Sequence, residues 1–426
     1  MTEIMQRLNW LVLFPLIIAT IFIFNPAGLR HDVGDGKGKY IDIVDSFSEY
    51  LVRDKIKNEI LGTENKGVLL IIPRGYPNND YTYHADGTHF YYTNLALQAY
   101  AASLAARGLN LKTEKQIDVF LAALRFINAL LLALILSIFF RRILRDYRLG
   151  CAPLVPILLS SLAGFVFFAQ NLYFISPIFY APFAFSAMAA GRWKNWALYA
   201  GFAALSFLNF SRGYEFATTY TINCVFSALC FTRGSNRHLI RVSIAIFASV
   251  CLGFLIAAID HVLIVCHAIG RNSLRAGAEL AFSSLTQRTA SFDNVPVPLT
   301  TQFFDVIRGR MGDTAFVFPW FREWKLTEGN VFAIATIALL VRFHRLTRLE
   351  KLIFAWAPLS YVSWYVFGYQ HIMWHFMYEW NIFAATIGIG FCILILQYGS
   401  EIAAYAGHLR SRVWQASDAE KRGNAE

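Results

Sequence analysis

Long apolar runs alternate with short charged clusters along most of the chain. A run of roughly 18 or more apolar residues is the pattern of a membrane helix, because in lipid only a helix satisfies its own backbone. The first run extends from Trp10 to about Phe24, after a short head containing Arg7. It is expected to be an uncleaved span, since no small-x-small cleavage site follows it. Nine further candidates fall at about 119–140, 153–170, 174–190, 196–210, 216–232, 242–266, 329–342, 352–368 and 381–398. The fold class expected is therefore an all-α polytopic integral membrane protein with about ten transmembrane helices. Residues 1–400 form one transmembrane domain, and 401–426 form a cytoplasmic tail.

Two polar segments interrupt this pattern, 25–118 and 267–328. Within the first, Tyr40–Ile60 reads as an amphipathic helix lying on the membrane surface, with Ile41, Val44, Phe47, Leu51 and Ile56 near helical spacing. Gly67–Ile72 is short and β-prone, and Pro73 ends it.

Charge gives the orientation. The net charge of +10 comes largely from short clusters at the ends of apolar runs. These are Arg141, Arg142, Arg145 and Arg148; Arg192 and Lys194; Arg233, Arg237 and Arg241; and Arg342, Arg345, Arg348 and Lys351. With both termini inside, every cluster falls on the cytoplasmic side, as the positive-inside rule requires. No basic face interleaved with aromatics appears elsewhere, so no nucleic-acid partner is expected. With 56% hydrophobic and 15% charged residues, a soluble domain is excluded. The six cysteines lie in or beside apolar runs and show neither a disulfide framework nor a CxxC metal pair.

The other face holds both long segments and three short turns, Asn171–Pro177, Ser211–Glu215 and Gly368–Trp380. Four constellations lie there. Asp42, Asp45 and Glu49 share one helix face, where a carboxylate could serve as general base; a solvated polar face is the alternative. The stretch from Tyr81 to Tyr100 is dense in aromatics around His84, Asp86 and His89, suiting either sugar stacking or a plain interfacial belt. Arg212 and Glu215 stand at the ends of two apolar runs, where ionisable groups are costly and point to a site or to an internal pair. His371 and His375 are spaced i, i+4, with Glu379 following at the next such interval, a pattern open to a metal, a phosphate or an interfacial role. The glycines of DVGDGKGKY lack the strand-to-helix context of a nucleotide loop.

Several of these motifs together resemble a family of bacterial membrane glycosyltransferases of the GT-C type. YYTNLALQAY resembles its YxSQxGLQG-like stretch, NLYF (Asn171–Phe174) its NLYW turn, and RGYEF (Arg212–Phe216) its GYEY turn. QRT (Gln287–Thr289) resembles a KRT element, and QHIMWHFMYEW resembles an HSxIHxHMNxVLW stretch, with Met377 where the third histidine stands. The resemblance implies a long first extracytoplasmic loop carrying juxtamembrane helices. It also implies inverting transfer of a sugar from a polyprenyl-phosphate carrier to a cell-envelope glycan or other acceptor on the outer face of a bacterial inner membrane. On that reading the catalytic candidates are Asp45, then Asp42, with Glu215 as rival. Arg212, Tyr214, Arg288, His371, His375, Tyr92 and Gln98 bind substrate, and no cofactor or metal is required. Arg212, Arg288, His371 and His375 are expected to converge on one phosphate site. The partners are the lipid-linked donor, a glycan or lipid-linked acceptor, and membrane lipids. A transporter or lipid-linked-sugar flippase is the competing class, and a non-catalytic partner of envelope assembly a third. Transporters commonly carry intramembrane acids, broken helices and inverted repeats, none of which the sequence displays.

Overall fold

The computed structural model describes residues 8–25, 46–61, 69–71, 89–92, 95, 97–191, 194–270, 273–290, 307–318, 320–367 and 377–423. These residues form a nearly all-α bundle. A π-helical turn, Asn9–Leu13, continues into α1 (Phe14–Phe24), and α2 (Ser46–Leu61) follows. Two short strands, β1 (Leu69–Ile71) and β2 (His89–Tyr91), pair antiparallel. Helices α3 (Leu97–Gly108) and α4 (Glu114–Asp146) come next, then α5 (Leu154–Ser161), α6 (Ala163–Phe168), α7 (Ser176–Ala189), α8 (Asn195–Arg212) and α9 (Ala217–Phe231). After α10 (Asn236–Ala268) and α11 (Leu274–Ala290), a hairpin of β3 (Thr314–Phe318) and β4 (Phe321–Thr327) leads into α12 (Glu328–Val341). Helix α13 (Arg348–Phe367) precedes α14 (Met377–Phe383), a π turn (Ala384–Gly388) and α15 (Ile389–Gly423).

Local signals explain several starts. Thr113 caps α4 through a reciprocal box with Gln116, and Thr327 caps α12 by accepting from the Asn330 amide at 3.2 Å. Among the described residues, three helices are long and apolar enough to cross a membrane: Glu114–Asp146, Asn236–Ala268 and Tyr378–Leu409. Asn9–Phe24, Ala217–Phe231 and Glu328–Val341 are apolar but shorter. Along α10, Ile240, Ile244, Phe247, Leu252, Leu255, Ile259 and Leu263 are all exposed, a stripe suited to hydrocarbon rather than water.

The expected span at 153–170 is corrected: it is two helices, broken at Leu162, whose ψ of 112° is extended. The freed backbone is engaged by a strand, since Leu162 bridges Phe316 of β3. The Phe316 ring packs 5.5 Å from Phe391, so β3 enters the bundle instead of remaining in an outer loop. The last helix is also continuous across position 400, where the tail was expected to begin.

The loops sort to two ends. At one, Tyr147 donates to the Cys230 carbonyl at 2.7 Å, Gly150 donates to Ser400 at 2.6 Å, and Arg342 pairs with Glu350 at 3.3 Å. This arginine end gathers the basic clusters around positions 142–148, 233 and 342–351. The opposite end gathers the turns at 171–174 and 212–216 and the starts of α12 and α14. A separate small core covers it, in which Leu51, Val52 and Ile56 of α2 pack with Ala99, Ala102, Leu121, Leu172 and Tyr173.

Candidate functional site

At the turn end, Asn171–Phe174 links α6 to α7. The Asn171 side chain accepts from the Phe174 amide at 2.6 Å, closing the turn locally. Ile175 then sits at φ 40°, a left-handed conformation that a β-branched residue seldom adopts. Three other elements hold the turn. Glu49 of α2 accepts from the Leu172 and Tyr173 amides at 2.5 and 3.2 Å, and from Arg125 of α4 at 3.0 Å. Gln98 of α3 donates to the Tyr173 carbonyl, and Asn128 of α4 donates to the Ala169 carbonyl at 2.7 Å. Burial raises the Glu49 pKa, opposed by Arg125 and the two amides. Glu49 therefore positions Tyr173.

Tyr173 meets the second turn: its hydroxyl donates to Glu215 at 3.3 Å. The Trp364 indole donates to the Glu215 carbonyl at 3.0 Å, which fixes the backbone there. Arg212, the last residue of α8, lies 4.1 Å from the Phe174 ring centroid and is 1% exposed. Its Nη2 donates to Asn209 at 3.3 Å, while Nε and Nη1 meet no partner among the described residues. Glu215, Tyr173, Tyr378 and Tyr220 surround the guanidinium electrostatically. A buried cation with idle donors beside a carboxylate is costly unless an anion completes it.

Tyr214 turns the other way. Its hydroxyl lies 3.2 Å from His261 Nδ1, and His261 Nε2 lies 2.8 Å from the Tyr92 carbonyl. A carbonyl only accepts, so Nε2 carries the proton and Nδ1 accepts from Tyr214. This chain ties the end of β2 to α10.

A second polar cluster lies beside the first. Glu328 and Glu379, 1% and 0% exposed, both contact the Tyr361 hydroxyl, which also lies 2.9 Å from the Tyr365 hydroxyl. Asp313 next to them accepts from Arg310 and from the Trp380 indole, each at 3.2 Å. Tyr378 and Glu379 are consecutive, and one faces Arg212 while the other faces this cluster.

Of the residues expected from sequence, Arg212 and Glu215 are electrostatic neighbours, and the Tyr173 hydroxyl donates to Glu215. Gln98 is buried and supports the turn, and Tyr92 and Tyr214 are linked through His261. Asp42, Asp45, Asp86, His371 and His375 lie outside the described residues. Arg288 lies on α11, with its side chain outside the described ones, so the four-residue phosphate site is represented here by Arg212 alone. Glu49, expected on a solvated face or as part of an acidic trio, is instead buried and structural. Tyr173 and Glu328 were not singled out; an acid opening an apolar run was the available signal for Glu328. No group of metal-ligating side chains occurs among the described residues. No family model matches the chain, and neither a curated protein nor a solved structure shows significant similarity to it.

Proposed function

We propose that the protein is a membrane glycosyltransferase of about ten spans, acting at the turn end of the bundle, with that end extracytoplasmic and both termini cytoplasmic. The carrying observation is Arg212, a buried guanidinium with two idle nitrogens beside Tyr173 and Glu215. The donor is a polyprenyl-phosphate sugar and the acceptor a glycan or lipid-linked hydroxyl. A carboxylate takes the acceptor proton, and the acceptor oxygen attacks the anomeric carbon. The carbon–oxygen bond to phosphate breaks with inversion, and the phosphate leaves with the electron pair, stabilised by Arg212. Glu215 is the first candidate for the base, since it stands beside Arg212; Asp45 and Asp42 are its rivals.

The test is transfer of labelled sugar by the purified chain in liposomes, comparing Glu215→Gln, Asp45→Asn, Asp42→Asn and Asp86→Asn. Loss of a general base lowers the rate roughly a hundredfold to ten-thousandfold. Loss confined to Asp45→Asn moves the base to the first loop, and no transfer by the wild-type chain removes the reading. The orientation is tested by reporters after Leu346 and near Asn294, expected inside and outside respectively.

Transport is the second reading, and two observations favour it. The helix break at Leu162 and the buried Glu328–Glu379 pair are features of transporter cores. Substrate accumulation in sealed vesicles without any glycosyl transfer would select it.

A further inference from the structure

The cluster around Tyr361 has more acceptors than protons. Three contacts converge on its hydroxyl oxygen: Glu328 Oε2 at 3.1 Å, Tyr365 Oη at 2.9 Å, and Glu379 Oε1. Each contact needs one hydrogen between its two oxygens. The two tyrosines supply two. If both carboxyls were ionised, one carboxylate oxygen would face a lone pair at hydrogen-bond distance. A second observation points the same way. Glu379 Oε2 is shut off from solvent and meets no donor among the described residues. The Glu328 and Glu379 carboxyls meet on one buried hydroxyl, and two carboxyls sharing such a site resist both being ionised.

We propose that Glu328 and Glu379 form a proton-binding site that holds one proton between them, with Tyr361 as the bridge. The surroundings fit a single negative charge. Asp313, from the turn before β3, is already paired with Arg310 and with the Trp380 indole, so it adds no unmatched charge. Its carbonyl accepts the Glu328 amide at 2.9 Å, which fixes the start of α12 against the hairpin. Among the described residues, the rings of Phe332 and Phe383 also pack against Tyr361, and they bring no charge. The three residues come from α12, α13 and α14, so the bound proton joins three helices at the turn end. Its loss leaves two adjacent buried charges and pushes those helix ends apart.

The site does not depend on the glycosyltransferase reading. Its test is infrared spectroscopy of the full-length chain in nanodiscs at neutral pH, in light and heavy water. The wild type is expected to show a carbonyl band of a protonated, slowly exchanging carboxyl. Glu328→Gln and Glu379→Gln are each expected to abolish it, because an amide supplies its own hydrogens and leaves the remaining carboxyl ionised. Tyr361→Phe is expected to shift the band and keep it. Loss in only one glutamine variant means an ordinary protonated acid and overturns the sharing. Persistence in both overturns the site. If neither variant folds, the wild type decides: the proposal stands if one carboxyl per chain titrates away as pH rises while the helix content falls, and it is overturned if the band is absent.

Discussion

The two polar clusters at the turn end are neighbours with opposite deficits. Around Arg212 there are donors without acceptors: two guanidinium nitrogens meet no partner among the described residues. Around Tyr361 there are acceptors without enough hydrogens. Both are buried, so neither is relieved by bulk water. In the proposed readings the first is completed by an anion and the second by a proton. The contrast separates the proposed substrate site from the proposed proton site, although the consecutive Tyr378 and Glu379 of α14 border one each.

The largest effect expected from breaking this contrast is on chemistry. If the proposed transfer is correct, replacing Arg212 by Gln removes the one charge among the described residues placed to face the leaving phosphate and is expected to lower transfer about a hundredfold to a thousandfold, as removal of one stabilising donor does elsewhere. Arg212→Lys retains charge without the planar fork and recovers part of the rate. Full activity in Arg212→Gln, read in the labelled-sugar assay, would make the idle nitrogens irrelevant.

The next effect is on the scaffold that positions Tyr173. Glu49→Ala removes the carboxylate that pairs with Arg125 and that accepts from two backbone amides in a buried setting, at a cost of about 3–5 kcal/mol. Hydrogen exchange at the Leu172 and Tyr173 amides measures it, and protection equal to wild type would show that Glu49 is not the latch. A smaller effect is expected at Gly164, where an added Cβ would lie 2.0 Å from the Trp380 carbonyl. Gly164→Ala forces α6 away from α14 and costs about 1–3 kcal/mol, measured by thermal unfolding in detergent. Smallest of all is Arg275→Ala, which breaks an exposed i, i+4 pair with Glu279 and changes stability by less than about 0.5 kcal/mol.

The helices were legible in the sequence because their apolar runs are local. The runs at 119–140 and 242–266 fall within α4 and α10, and the run at 329–342 matches α12 to within one residue. The break at Leu162 was not legible, since its cause is distant: the strand that engages Leu162 lies around Phe316. The hairpin itself left a signal in TAFVFPWFREWKLT, a β-prone run interrupted by a proline, but nothing local shows that it enters the bundle. In the site, Arg212 and Glu215 were readable from the cost of charge near membrane depth. Tyr173 was not, because its role depends on a turn held by Glu49, Gln98 and Asn128 from three other helices. Spacing put Glu49 on a face with two other acids, but only packing shows that this position is buried.

The central claim is that the donor surplus at Arg212 takes a lipid phosphate. Binding of polyprenyl phosphate and of the uncharged polyprenol to the chain in nanodiscs tests it most directly, in the wild type, Arg212→Gln and Glu328→Gln. The wild type is expected to prefer the phosphate by at least about tenfold, the effect of roughly 1.4 kcal/mol. Arg212→Gln is expected to lose this preference while Glu328→Gln retains it. Equal affinity of the wild type for both lipids, or an undiminished preference in Arg212→Gln, would contradict the claim.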